Sequence, residues 1–242
     1  MTNKYIYFIA NWKMFGVLSS LKLIKKLDFY LKKIKNKNFK VIYCIPYTLL
    51  NKYSKIFNSK YISIGAQNCH ELDTFGPFTG SVNSKMIKDA GAKYIILGHS
   101  ENRLNGDTNL IINKKILSSL KSKLKIIFCV GENFEQKNKK LTSKILYNQI
   151  TSALKNVKKF NNIIIAYEPV WSIGTGKIPK KKELEKNILI IKKILKNKYS
   201  KSSNIKILYG GSVNSKNIND LNSISLLNGY LIGGSSQSSK KF

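Results

Sequence analysis

Apolar residues in this chain gather into eight short, nearly unbroken runs, separated by longer stretches where apolar and polar positions mix. The runs are YIYFIAN (5–11), KVIYCI (40–45), YISIGA (61–66), KYIILG (93–98), LKIIFCV (124–130), NIIIAYE (162–168), IKILYG (205–210) and GYLIG (229–233). A half-exposed strand alternates; a strand buried on both faces does not, so these runs predict parallel strands. Between them, VLSSLKLIKKLDFYLKKI (17–34) and NILIIKKILKNKY (187–199) set apolar residues at i, i+3, i+4 and i+7 against lysines, the pattern of amphipathic helices. Strands alternating with helices predict an α/β protein, and eight is the number that closes as a (β/α)₈ barrel. An open doubly wound sheet is the alternative, but it lacks the early glycine-rich turn between strand and helix. No boundary interrupts the pattern, so residues 1–242 read as a single barrel domain.

Composition changes this picture little. The N-terminal MTNKYIYFIANWKMFG has an apolar run too short for a signal peptide and no small-residue cleavage site. No stretch approaches the roughly 18 apolar residues of a membrane span. Cys44, Cys69 and Cys129 lack metal-ligand spacing and read as reduced thiols of a cytoplasmic protein. The net charge of +31 invites a nucleic-acid reading. Against it, Arg103 is the single arginine among the 43 basic residues, whereas base edges and bidentate phosphate contacts favour arginine. The lysines are also spread over every expected helix. A solvated lysine surface is the preferred reading, with no membrane partner and with nucleic acid disfavoured.

In a barrel of this kind chemistry belongs on the loops after the carboxyl ends of the strands, and unusual residues collect there. Asn11 and Lys13 follow the first run in IANWKMFG; two apart, they project to the same side if the chain stays extended. His99, one of two histidines, ends the fourth run in YIILGHSENR behind a glycine that allows close backbone approach. Glu101 in that stretch and Glu132 in CVGE read as supporting carboxylates. Glu168 ends the sixth run, where a carboxylate is uncommon unless paired or functional, and desolvation there would raise its pKa toward that of a useful base. The bland alternatives are a solvated lysine, a satisfied histidine and a structural ion pair.

The residues after Glu168, namely Pro169, Val170, Trp171, Ser172, Ile173, Gly174, Thr175, Gly176 and Lys177, read as a lid. Pro169 and Trp171 make a stiff hinge, and the N–H groups of Gly174 and Gly176 are expected to be free to meet an anion. LYGGSV and LIGGSS put glycine turns after the last two strands, where barrels commonly hold phosphate on backbone amides. One carboxylate, one histidine, one lysine and a set of amide donors suit proton transfer beside the carbonyl of a small phosphorylated substrate. No metal cluster or nucleotide fingerprint accompanies them.

NWKM, QN with GPFTG, ILGHSE, CVGE, AYEPVWSIGTGK, YGGSV and GYLIGG together closely resemble the triosephosphate isomerase family, in chain order and over nearly the whole length. The resemblance implies a TIM barrel, a cofactor-free, metal-free aldose–ketose isomerase of glycolysis and gluconeogenesis, and interconversion of dihydroxyacetone phosphate and D-glyceraldehyde 3-phosphate through an enediolate. The family is itself the reference case for a glutamate base with a neutral histidine electrophile and for a closing loop, so those assignments come from it. They imply Glu168 as base, His99 as electrophile and proton shuttle, and Lys13 and Asn11 as partners of the developing charge. Amides of Gly174, Ser212, Gly233 and Gly234 would hold the phosphate. Loop 71–80 (ELDTFGPFTG) looks like the segment that inserts into a second subunit of a homodimer.

Four departures from the family pattern stand out. The chain ends GGSSQSSKKF where the family continues into a full eighth helix; a truncated or absent helix predicts apolar exposure near the first and eighth strands, and low stability. Asn102 and Ser81 stand where the family usually carries an arginine–glutamate pair across the dimer interface. Both being neutral, neither leaves an unpaired charge. Pro179 occupies a usually small position at the far lid hinge, where it either slows closure or starts a helix. Asn228 stands where aspartate is common. The rival readings are another phosphate-binding barrel, which would not be expected to carry AYEPVW, and a lysine-rich nucleic-acid-associated barrel with reduced or lost activity.

Overall fold

The computed structural model describes residues 5–35, 38–56, 59–199, 204–239 and 241–242. Residues 1–4 of the N-terminal segment and Lys240 of the C-terminal one lie outside them. Eight parallel strands close into a barrel in sequence order: β1 Ile6–Asn11, β2 Phe39–Cys44, β3 Ile62–Ala66, β4 Tyr94–Leu97, β5 Lys125–Val130, β6 Ile163–Tyr167, β7 Lys206–Tyr209 and β8 Gly229–Ile232. The helices are α1 Leu21–Lys33, α2 Tyr47–Ile56, α3 Ser84–Asp89, α4 Ser100–Leu104, α5 Asn109–Lys121, α6 Phe134–Asn138, α7 Thr142–Ala153, α8 Lys181–Lys198 and α9 Ile218–Asn222. None of the described helices is long and apolar enough to cross a membrane.

The unbroken apolar runs have their explanation in two separate cores. Ile9, Ile42, Cys44, Ile127, Cys129, Ile164, Ala166, Leu208 and Leu231 form one buried cluster. Their neighbours of opposite parity, among them Ala10, Tyr43, Ile126, Phe128, Ile165 and Ile207, pack with the helix residues Leu27, Leu31, Ile116, Ile150 and Ile191. Successive side chains on a strand point to opposite faces, so the first cluster fills the barrel and the second joins sheet to helices. The same parity, carried one step past Ile9, Ala166 and Leu208, turns Asn11, Glu168 and Gly210 inward at the carboxyl-end mouth.

Local chemistry fixes several helix starts. Asn133 and Gln136 form a capping box at α6, and Thr108 accepts the Ile111 N–H at the start of α5. The expected helix over 17–34 resolves into a 3₁₀ turn, Leu18–Ser20, followed by α1. Pro179 sits directly before Lys180, the N-cap of α8, which is the helix-starting role. Asn228 accepts the Ile207 N–H through Oδ1 at 3.0 Å and exchanges backbone bonds with Ile207 and Tyr7, pinning β7, β8 and β1 together at their amino ends. An amide oxygen meets that need as a carboxylate would.

After β8 there is a 3₁₀ turn, Gly234–Gln237, and no α-helix among the described residues. Apolar surface is exposed as a result, but its location differs from expectation. β8 is fully buried, whereas Ile6 and Phe8, on the helix-facing side of β1, are only half-buried. A groove of about 480 Å³ opens there, lined by Phe8, Leu27, Tyr30, Leu31, Ile34, Phe39 and Val41. Phe242 closes one end, packing edge-on against Tyr43 with ring centroids 5.1 Å apart.

Candidate active site

At the barrel mouth lies a cavity of about 290 Å³ whose wall includes Asn11, Lys13, His99, Glu168, Gly174, Ser212, Gly233 and Gly234. The carboxyl end of β1 and the loops after β1, β4, β6, β7 and β8 therefore converge on a space suited to a small ligand. Glu168 is 3% exposed. Its backbone N–H bonds Val130 O at 2.8 Å, which holds the residue at the end of the sheet. Glu168 Oε1 lies 3.6 Å from His99 Nε2, while Oε2 is buried without a hydrogen-bond partner among the described residues. A buried polar atom left this way costs free energy and needs a reason.

One glycine makes the room. A Cβ at Gly210 would stand 2.5 Å from Glu168 Cγ and 3.0 Å from Oε1, so the base occupies the volume this residue vacates. Behind Glu168, the Cys129 thiol is pushed well above its ordinary pKa by burial first and by the neighbouring carboxylate second. It is inert at neutral pH.

His99 is the N-cap of α4, and its Nδ1 accepts the Glu101 N–H at 3.3 Å. A nitrogen that accepts cannot carry the proton, so the ring is the neutral tautomer with its N–H on Nε2, facing Glu168 and the cavity. Glu101 Oε1 also bonds Lys13 Nζ at 2.5 Å.

Asn11 and Lys13 reach the cavity by a route the extended reading missed. Lys13 has φ of 57°, a left-handed conformation uncommon outside glycine and typical of functional sites. Its N–H bonds Asn11 Oδ1 at 3.1 Å. The strand ends at Asn11, and a local turn rather than i, i+2 alternation aims the ammonium.

The lid begins as a 3₁₀ turn, Val170–Ser172, and Ile173, Gly174 and Gly176 line the cavity. Thr175 Oγ1 donates back to Trp171 O and Ser172 O and accepts the Lys177 N–H. The Gly176 N–H is not free for an anion as the sequence reading expected, because it bonds Ser212 Oγ at 3.1 Å. Glu132 lies behind the hinge rather than in the cavity, fully buried. It accepts Trp171 Nε1–H at 3.2 Å and the Tyr167 hydroxyl at 3.1 Å, and its carbonyl accepts the Val170 N–H. Burial raises its pKa, the bonds from Trp171 and Tyr167 acting the other way.

Sequence reasoning passed over Arg103, which ties the β4 loop together: Nε donates to Gly98 O at 2.8 Å, Nη1 to Asn109 Oδ1 and Nη2 to Cys129 O. The signal was available, since an arginine appears here alone in a chain that uses lysine for every other cation. Tyr209 and the Ser172 hydroxyl were also missed as a contact, because a pairing of residues 37 apart leaves no local trace.

A buried carboxylate and a neutral imidazole facing one small polar cavity, under a loop hinged beside the carboxylate, are equipment for moving protons, which is the chemistry of a barrel isomerase. Residues 6–242 match the family model described as Triosephosphate isomerase. The chain is 38% identical over 243 residues to the triosephosphate isomerase of Borrelia garinii subsp. bavariensis, covering 98% of this chain and 95% of that protein. It is 33% identical over 239 residues to that of Alkaliphilus oremlandii, covering 96% and 95%. The crystal structure of triosephosphate isomerase from Bartonella henselae superposes with a TM-score of 0.89 at 31% identity, over 98% of this chain and 95% of that one. The chain belongs to the triosephosphate isomerase family.

Proposed function

We propose that this isomerase interconverts dihydroxyacetone phosphate and D-glyceraldehyde 3-phosphate in glycolysis and gluconeogenesis, with the residues of the mouth cavity in the following roles. Glu168 takes the proton from the carbon beside the carbonyl and returns it to the neighbouring carbon. His99 Nε2–H polarises the carbonyl oxygen, and Lys13 with Asn11 balances the charge of the enediolate and phosphate. The phosphate rests on amides of Gly174, Ser212, Gly233 and Gly234. The single observation that carries the reading is Glu168 in the cavity wall with its Oε1 3.6 Å from His99 Nε2: a carboxylate and an imidazole facing one small cavity suit proton transfer to and from carbon. The lid excludes water, which protects an enediolate phosphate from losing its phosphate group. The whole chain acts as one barrel domain in the cytoplasm.

A homodimer belongs to the same proposal. Loop 71–80 carries Phe75 and Phe78, 77% and 42% exposed, and Met14, Val17, Leu18 and Leu104 are exposed nearby in sequence to the site residues. A groove of about 700 Å³ lined by Lys13, Met14, Phe15, Gln67, Glu101 and Asn102 runs beside the cavity and suits the partner's loop. Exposed apolar side chains in such number favour a covered face. Nothing at the mouth favours the nucleic-acid reading. A coupled assay with D-glyceraldehyde 3-phosphate across protein concentration tests both halves. Turnover that falls on dilution is expected; folded protein without turnover would overturn the proposal, and a specific activity independent of dilution would remove the dimer from it.

A further inference from the structure

The two ends of the barrel differ in charge. Segments after the strands bring Glu71, Asp73, Glu101, Asp107, Glu132 and Glu168 to the carboxyl end. At the amino end, the segments that lead from a helix into a strand are 34–38, 57–61, 90–93, 122–124, 154–162, 199–205 and 223–228. None of them contains Asp or Glu, and all but the last contain lysine. Asp89, the last residue of α3, is the nearest acid along the chain.

Three strands add a lysine of their own at this end. Lys40, Lys125 and Lys206 stand two residues before Ile42, Ile127 and Leu208, which fill the barrel interior, so strand parity turns them toward the barrel axis. Lys40 Nζ and Lys125 Nζ lie 5.8 and 5.7 Å from the centroid of one ring, that of the buried Tyr94. Lys93 is held beside them, its carbonyl accepting the Lys125 N–H. The half-buried Lys40 ammonium is pushed below its ordinary pKa by burial first, then by the charges of Lys125 and Lys93. No carboxylate pairs with any of these four lysines among the described residues. Like charges gathered without a counter-charge destabilise the compact chain, and an anion bound there would relieve them.

We propose that the amino-terminal face of the barrel binds a condensed phosphate chain, a linear polyanion of linked phosphoryl groups, through Lys40, Lys93, Lys125, Lys206 and the loop lysines around them. Lysine meets phosphate as a point charge and needs no fixed fork, which suits a ligand whose units are all alike. Reading of base edges favours arginine, and the one arginine is bonded to Gly98, Asn109 and Cys129 at the carboxyl end, so a nucleic acid fits less well. A second copy of the chain would bring the same charge to this face and be repelled. The site lies at the opposite end from the mouth cavity and stands independently of the isomerase reading.

The test measures binding of end-labelled inorganic polyphosphate to the full chain by fluorescence anisotropy at several salt concentrations. A triple variant, Lys40→Gln with Lys125→Gln and Lys206→Gln, is compared with a control triple, Lys144→Gln with Lys182→Gln and Lys186→Gln. The control removes equal charge from exposed lysines near the starts of α7 and α8. The amino-face triple should bind on the order of tenfold more weakly than parent. Its slope of log affinity against log salt should shrink by about 2, from three lost contacts at about 0.7 each. The control triple should stay within about twofold of parent. Equal weakening in the two triples would reduce the effect to net charge and overturn the site, as would parental affinity in the amino-face triple. Tighter binding of a single-stranded oligonucleotide than of polyphosphate of equal charge would overturn the choice of ligand. Should the triple not fold, Lys125→Gln with Lys206→Gln, both at exposed positions, against Lys182→Gln with Lys186→Gln makes the same comparison. None of these readouts needs substrate, so a parent inactive toward triose phosphates would sink the functional reading and leave the binding result standing.

Discussion

Replacing Gly210 with alanine adds one methyl group at the base and nothing else. Gly210 is outside the left-handed region, so alanine brings no backbone strain there. The new Cβ would sit 2.5 Å from Glu168 Cγ, 3.0 Å from Oε1 and 3.2 Å from Cδ, where carbon atoms prefer about 3.5–4.0 Å. The Glu168 side chain must therefore withdraw by about 1 Å. Its backbone cannot absorb the shift: the N–H is bonded to Val130 O, and the Glu168 carbonyl abuts Gly131, where even a Cβ would come within 1.9 Å. A misplacement of about 1 Å costs on the order of 100-fold in rate, or about 2.7 kcal/mol of transition-state stabilisation. The loss should fall on kcat, with KM changed little, because the amides proposed to hold the phosphate stay in place. Overpacking should cost about 1–3 kcal/mol of stability, small enough for the variant to be assayed folded. Steady-state kinetics in both directions, paired with thermal unfolding, make the measurement. A folded Gly210→Ala protein with kcat within about threefold of parental would refute the claim that this glycine positions the base.

Three further perturbations test other parts of the structure. Lys115 is buried, with Nζ 2.7 and 2.8 Å from the two Asp107 oxygens and 3.0 Å from Asn68 Oδ1. Lys115→Met should cost about 3–5 kcal/mol in urea unfolding by stranding the carboxylate, and a loss under about 1 kcal/mol would show the pair to be dispensable. Cys44 and Cys129 are raised by burial, and Cys69 is held at about 11 by burial in the main. All three thiols should resist a maleimide in the native protein and react together on unfolding; rapid labelling of any one in the native state would contradict the burial. Glu132, raised by burial, holds its proton more tightly folded than unfolded. Its contribution to stability is therefore full below the ordinary glutamate range and shrinks as pH rises through the folded value. Glu132→Gln keeps an acceptor for Trp171 and Tyr167, so relative to parent it should gain stability as pH rises above the ordinary glutamate range; a difference that stays constant with pH would count against the raised pKa.

The barrel was legible because its strands are buried twice. Ile163 to Tyr167 contact helices on one parity and the barrel interior on the other, which writes an apolar run with no alternation. The same parity makes Glu168 conspicuous, as the first charge after five buried residues. β1 breaks the rule at Ile6 and Phe8, which face the helix side where no helix after β8 covers them among the described residues, and an apolar strand looks the same whether covered or not. Other features left no local trace. The left-handed turn at Lys13 follows from an Asn11 side-chain bond that many Asn-x-Lys segments would not make. Ser172 reads as one more small lid residue until Tyr209, from another strand, is set against it. The position of Glu132 behind the hinge likewise needs Tyr167 and Trp171 in three dimensions.

Isomerisation of dihydroxyacetone phosphate in deuterium oxide, followed by proton NMR for the parent and for Glu168→Gln, tests the role of this carboxylate most directly. If Glu168 is the base, the parent forms glyceraldehyde 3-phosphate carrying deuterium on the carbon beside the carbonyl, and the amide variant, folded but unable to accept a proton, loses both turnover and exchange by at least about 10³-fold. Deuterium uptake by Glu168→Gln at more than a tenth of the parental rate would mean that another group takes the proton.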